Sequence, residues 1–139
     1  YPHWVAPANH TAPEILSAMG TLFGQQPHPT AIIVNDIQLP VVYGFLERRG
    51  LRIGNDVSVI GTDDLPLAAE LHPAATTVLN SRAVAATMAL DMLDELWRGD
   101  TVSGIRTVPL KLIERESTGP RPGVGRKTDV RVAMVAATV

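Results

Sequence analysis

The sequence predicts an α/β fold in which a parallel sheet is flanked by helices. Two features carry that expectation. Ala31–Val34 and Val57–Ile60 are uninterrupted apolar runs of strand length, and each ends abruptly in a polar cluster. Segments with apolar residues at helical spacing lie between and around them. Strands alternating with helices build parallel sheets through right-handed crossovers.

The elements follow in order. Trp4-Val5-Ala6 reads as a short extended piece. Thr11-Ala12-Pro13-Glu14 has the pattern of a capping box with Pro in the first turn. Ile15, Leu16, Met19, Leu22 and Phe23 then share one helical face, and Pro27-His28-Pro29 stops the helix. After the first apolar run, a second helix is expected near Pro40, burying Val42, Phe45 and Leu46 and closing at Gly50. The second run leads to a short helical turn, Leu65 to Leu71, and then to a strand at Thr76-Thr77-Val78-Leu79. Ser81 is a plausible N-cap for a third long helix. Val84, Ala85, Met88, Ala89, Met92, Leu93, Leu96 and Trp97 give that helix a broad apolar stripe, and Gly99 ends it. Val108–Ile113 reads as a last strand whose Pro109 favours an edge. Parallel strands with continuous apolar runs are expected to be covered on both faces.

Composition narrows the function. A chain of 139 residues fits one compact domain. Apolar residues at 45% and charged residues at 19% exclude disorder, and no apolar stretch approaches the length of a membrane span. Tyr1-Pro2-His3-Trp4 has neither the basic region nor the apolar core of a secretory signal. The absence of cysteine removes disulfides, thiolate metal sites and thiol nucleophiles. With a net charge of −2 and no helix bearing a basic stripe, this stretch is a poor binder of nucleic acid by itself.

The polar groups are informative by position. Asn35-Asp36, Thr62-Asp63-Asp64 and Asn80 each follow an apolar strand, and in parallel sheets such positions lie at the carboxyl ends where open α/β folds bind ligands. One such cluster is ordinarily a helix cap or a turn. Three on one rim point to a small molecule, because carboxylates and carboxamides supply paired acceptors and donors. Other sites are dismissed. His3, His10, His28 and His72 lack metal-ligand spacing, so no metal is expected. Gly123-Val124-Gly125-Arg126-Lys127-Thr128 imitates the start of a dinucleotide fingerprint but follows no strand, so no cofactor is expected. Asp63 and Asp64 are candidates for acid–base chemistry, but neighbours along a chain usually point apart and no nucleophile stands beside them. Asp94 and Arg98 read as a surface i,i+4 pair.

Several stretches resemble successive signatures of the LacI/GalR transcription regulators. They are Pro29-Thr30-Ala31-Ile32-Ile33-Val34-Asn35-Asp36, Glu47-Arg48-Arg49-Gly50-Leu51-Arg52 and Asp56-Val57-Ser58-Val59-Ile60-Gly61-Thr62-Asp63-Asp64. Pro73 with Thr76-Thr77-Val78, the helix ending in Gly99, and Leu112-Ile113-Glu114-Arg115-Glu116-Ser117 follow in the same order, so the likeness runs from about Trp4 to Ser117. The resemblance implies the carboxyl-terminal subdomain of a periplasmic-binding-protein-like (type I) fold, which senses a small polar effector, commonly a sugar, and is not an enzyme. It implies effector contacts at Asn35, Asp63 and Asn80, with His10 and Asn9 beside the first helix. It also implies a cytoplasmic homodimer that reaches operator DNA through a helix-turn-helix outside this sequence. Residues 4–119 are then a partial effector-binding domain, and 120–139 are a linker and a tail that is either a strand or unordered. Alternatives are a transport-type sugar-binding protein of the same fold, or a small α/β enzyme using Asp63 or Asp64. Leu39-Pro40, Thr62 and His10 depart from the family pattern, the latter two replacing residues that are often aromatic. On this reading the chain holds one wall of the effector cleft and binds weakly or not at all. The helix at Ser81–Arg98 lacks its usual partner, and it is expected to pack on a second copy of the chain or to fold back onto its own sheet.

Overall fold

Ile32 and Val59, one from each apolar run, are register partners at the centre of the sheet, and both are fully buried. The computed structural model describes residues 4–102, 104–119 and 131–136. Its strands are β1 (Val5–Pro7), β2 (Ala31–Ile33), β3 (Ser58–Thr62), β4 (Thr76–Asn80), β5 (Leu110–Ile113) and β6 (Val132–Ala136). They form one sheet in the order β1-β6-β2-β3-β4-β5. Every neighbouring pair is parallel except β4 and β5, so Pro109 precedes an antiparallel edge strand. The tail enters the sheet: β6 lies between β1 and β2, with Ala133 and Val135 buried. The Gly-x-Gly stretch at 123–128, like the rest of 120–130, lies outside the described residues.

The helices are α1 (Ala12–Gly24), α2 (Leu39–Arg48), α3 (Pro66–Glu70) and α4 (Arg82–Trp97). β1, β2, β3 and β4 step across the sheet in one direction, so right-handed crossovers put α1, α2 and α3 on the same face. Ile15, Met19 and Leu22 of α1, with Leu39, Val42 and Leu46 of α2, join Ile32 and Val59 in the core there. The other face is open among the described residues. Ala31, Ile33, Ser58 and Ile60 are half-buried, while Val5, Val132 and Met134 are exposed. Among the described residues helices cover one face only, because the crossovers that supply them all pass on one side.

Two local expectations change. Thr11 precedes α1 in extended conformation without a side-chain cap; Glu14 instead accepts from the Asn9 amide at 2.8 Å. A capping box does form at Asn35, over a 3-10 turn at Asp36–Gln38 that leads into α2. The glycine stops behave as expected: α2 ends at Arg48 with Gly50 at φ +68, and α4 ends at Trp97 with Gly99 at φ +84.

The fold-back expected for α4 is absent. Ser81 caps the helix by accepting from the Val84 amide at 3.3 Å, yet none of its residues is buried. Leu90, Leu93 and Leu96 are more than half exposed, and Trp97 is 91% exposed. Among the described residues the stripe is left largely uncovered, with only Ala85, Met88 and Met92 half-buried. Two ion pairs among the described residues tie the helix to the rest of the chain, Arg82 to Asp63 and Glu95 to Arg106.

Candidate functional site

The parallel ladder continues past the strand ends and fixes where the polar clusters emerge. The Val34 amide donates to the Ile60 carbonyl at 3.0 Å, and the Asp63 amide donates to the Val78 carbonyl at 2.9 Å. Asn35 and Asp63 therefore stand two residues and one residue beyond the ends of the adjacent strands β2 and β3. Their side chains meet. Asn35 Nδ2 donates to Asp63 Oδ2 at 3.1 Å and to Thr62 Oγ1 at 3.4 Å, while Asn35 Oδ1 accepts from the Ile37 amide at 3.1 Å. One residue thus caps the turn and grips the neighbouring tip.

Asp63 and Asp64 both hold positive φ, at 98° and 51°. Non-glycine residues in this region carry strain of about 1–3 kcal/mol each and persist where surrounding bonds over-determine them. Those bonds are visible here. Asp63 is held by Asn35 and by Arg82, whose Nη2 donates to Oδ2 at 3.1 Å. Asp64 accepts from Arg115 Nη2 at 2.8 Å, and its amide donates to Thr77 Oγ1 at 3.3 Å. The two neighbouring carboxylates thus serve different guanidinium groups.

Asp36 anchors the arrangement from below. It is fully buried, with Oδ1 accepting from Thr77 Oγ1 at 2.9 Å and Oδ2 from the Leu65 amide at 2.7 Å. Burial pushes its carboxyl above the ordinary value; the two hydrogen bonds oppose that shift, and the charges of Asp63 and Asp64 add to it. The carboxylate lies directly over Gly61: a Cβ there would overlap Oδ1 and stand 3.1 Å from Cγ. Glycine is required at this position by close approach rather than by backbone angle.

The sequence-predicted site residues are distributed unevenly. Asn35 and Asp63 touch. Asn9 is linked to them through buried Gln38, whose Nε2 donates to the Asn9 carbonyl at 3.4 Å and whose Oε1 accepts from the Asn35 amide at 3.3 Å. Asn80 ends β4, opposite Leu110 on β5, with an exposed side chain. His10 is exposed, and among the described residues no side-chain contact ties it to the others. Sequence reasoning missed Arg82, Arg115 and Gln38 as parts of this cluster. Arg82 had one usable signal: it is the first helical residue after the Asn80-Ser81 tip, which places a long cation beside the carboxylate clusters.

The available chemistry is that of a binding rim. Asp63 Oδ1 is an acceptor with no bond among the described residues, and Arg82 offers donors beyond the one spent on Asp63. Among the described residues, no group of three or more His, Cys, Asp or Glu is placed to hold a metal ion.

Open α/β sheets of mostly parallel strands bind ligands beyond the carboxyl ends of the strands, which is where these polar side chains are gathered. The family described as periplasmic binding protein-like domain matches residues 2–118, and the chain belongs to it. Within that family its likeness is to the effector-binding region of LacI-family transcription regulators. It is 31% identical over 91 residues to the lactose operon repressor of Escherichia coli, covering 65% of this chain and 25% of that protein. It is also 31% identical over 121 residues to the HTH-type transcriptional repressor PurR of Edwardsiella ictaluri, covering 86% of this chain and 36% of that protein. A LacI family regulator from Bifidobacterium animalis superposes with a TM-score of 0.76 at 28% identity, over 82% of this chain and 42% of that one. The lac repressor dimer, solved with operator and an anti-inducer, superposes at 0.73 with 25% identity, over 81% of this chain and 40% of its own. The chain thus spans about a quarter to a third of the length of these curated relatives.

Proposed function

We propose that this chain is the effector-sensing part of a LacI-family transcription regulator, and that it binds a small polar metabolite, a sugar or a close relative, at the carboxyl ends of β2, β3 and β4. The observation that carries the reading is the Asn35–Asp63 contact at 3.1 Å across adjacent strand tips. It gathers an amide and a carboxylate on one edge, and Asp63 keeps an oxygen for a ligand hydroxyl. Asn80 extends the rim from β4, and Asn9 and His10 border it from the β1–α1 connection. The domain does no chemistry. Its carboxylates are held in fixed ion pairs and hydrogen bonds, and the relatives it matches are named as repressors.

Sensing requires that the effector bind two conformations with different affinity. Arg82 ties the rim to α4, so a ligand competing for Asp63 alters how firmly that helix is held. The exposed apolar face of α4 supports a homodimer, since a large unpartnered apolar patch marks an interaction surface. Operator DNA is contacted outside this chain, whose own charge is −2. No helix among the described residues is long and apolar enough to cross a membrane; the cytoplasm is the compartment that the regulator reading implies.

The reading is tested by ligand-observed NMR with a panel of pentoses and hexoses on wild type and Asp63→Ala. Weak binding by at least one sugar, lost in Asp63→Ala and kept in Glu47→Gln at the far end of the sheet, is the expected result. Equal binding to wild type and Asp63→Ala removes Asp63 from the site.

A further inference from the structure

Of the two guanidinium groups at the rim, Arg82 keeps more of its donors free and is the more exposed. Asn35 has spent both amide hydrogens, on Thr62 Oγ1 and Asp63 Oδ2. Asp36 has both oxygens engaged with Thr77 and Leu65. Arg115 divides its guanidinium between the Ala75 carbonyl and Asp64 Oδ1. Arg82 differs. One Nη2 hydrogen bond to Asp63 Oδ2 is its sole bond among the described residues, and its side chain is 75% exposed. A guanidinium carries five N–H donors in a planar fork, so four remain for a ligand. They lie beside Asp63 Oδ1, a carboxylate oxygen with no bond among the described residues.

A planar fork of free donors matches a carboxylate or phosphate better than a lone hydroxyl, which accepts through one atom. The neighbouring carboxylate oxygen calls for a hydroxyl donor. Charge permits the combination. At the rim, Asp63 and Asp64 are each paired with a guanidinium, and Asp36 points inward with its oxygens occupied. An arriving anion therefore meets balanced pairs and an open cationic fork.

We propose that Arg82 is a specificity-determining residue that selects effectors bearing an anionic group next to hydroxyls, such as sugar acids or sugar phosphates. The anion takes the free edge of the Arg82 guanidinium, and an adjacent hydroxyl donates to Asp63 Oδ1. This inference rests on the effector-site reading above and deepens it.

The test titrates the full chain with glucose, gluconate, glucuronate and glucose 6-phosphate, following the Arg82 side-chain Nε–Hε signal and the Asp63 amide by NMR. At least one acid or phosphate is expected to bind about tenfold or more tighter than glucose, as a charge-assisted fork adds one such step in affinity. Arg82→Gln should erase that preference, bringing the acid or phosphate down to the affinity of glucose for the same variant. Arg82→Lys, which keeps the charge without the fork, should restore only part of it. The gluconate and phosphate arms tell which anion is read. Glucose binding as tightly as the acids overturns the Arg82 inference and leaves the site reading standing. Weakening of glucose and acid alike in Arg82→Gln overturns it too, by making Arg82 a structural tie. Failure of all four ligands to shift the Asp63 amide overturns both.

Discussion

Replacing Gly61 by alanine tests whether the rim is held from beneath by a buried carboxylate. A methyl group at Gly61 would overlap Asp36 Oδ1, stand 3.1 Å from its Cγ and lie 3.2 Å from Leu39 Cδ1. Neither neighbour has room to move, because Asp36 and Leu39 are both fully buried. Asp36 must swing away and lose its bonds from the Leu65 amide at 2.7 Å and from Thr77 Oγ1 at 2.9 Å. Hydrogen bonds to charged groups contribute about 1.5–3 kcal/mol each, and overpacking a core costs about 1–3 kcal/mol. Partial relaxation keeps the sum below its maximum, so Gly61→Ala is expected to destabilise the chain by about 3–5 kcal/mol. For a chain of this size that lowers Tm by roughly 10 °C or more. Urea and thermal unfolding give the magnitude, and the amide resonances of Asp63, Asp64 and Leu65 report whether the loop has shifted. Gly20→Ala is the control. An added Cβ there meets nothing within 4 Å, and inside a helix alanine gains about 0.5–1 kcal/mol over glycine. A Gly61→Ala variant within about 1 kcal/mol of wild type, with an unmoved Leu65 amide, would refute the buried-anchor argument.

The remaining predictions concern Asp36, the β3–β4 junction and the exposed helix. Burial raises the Asp36 carboxyl above 3.8, so the folded chain keeps that proton at pH values where the unfolded chain has released it. Ionised Asp36 thus opposes folding above its folded pKa, and the opposition fades as pH falls through that value toward 3.8. Asp36→Asn cannot titrate, so the stability of wild type relative to the variant should improve as pH falls from neutrality; a flat difference across a pH series of urea midpoints would contradict this. Buried Ser117 accepts from the Thr76 amide at 2.8 Å and donates to the Val59 carbonyl at 2.5 Å. Ser117→Ala strands both backbone groups and should cost about 2–4 kcal/mol in chemical denaturation. Leu93 and Leu96 are 61% and 54% exposed, so Leu93→Glu with Leu96→Glu should reduce self-association in sedimentation while leaving Tm nearly unchanged. A large fall in Tm would mean that the two side chains are buried within the chain.

How much was legible follows from whether a feature is encoded locally. The parallel sheet and the placing of Asn35 and Asp63 came from short apolar runs with polar ends, which depend only on neighbours in sequence. Glycine stops at Gly50 and Gly99 were likewise local. The cap at Thr11 failed because Glu14 found a nearer donor in the Asn9 amide, a choice set by how the β1–α1 connection turns. The roles of Arg82 and Arg115 were hidden because each reaches a carboxylate far along the chain, 19 and 51 residues away. Reading Arg82 only as part of a helix with an apolar stripe obscured its place beside the rim. That one sheet face has no helix over it among the described residues was also missed. Periodicity shows that a strand is apolar on both sides, but the direction in which successive crossovers step decides which side receives helices.

The central claim is that the carboxyl-end rim of β2, β3 and β4 is where a metabolite binds. The most direct measurement is a residue-by-residue map of backbone amide shifts as the best-binding sugar or sugar acid is titrated into the chain. Shifts confined to Asn35, to Thr62 through Asp64, and to Asn80 through Arg82 are predicted. Saturable shifts instead around the hollow lined by Glu47, Leu51, Arg52 and Pro73, at the opposite end of the strands, would contradict the account.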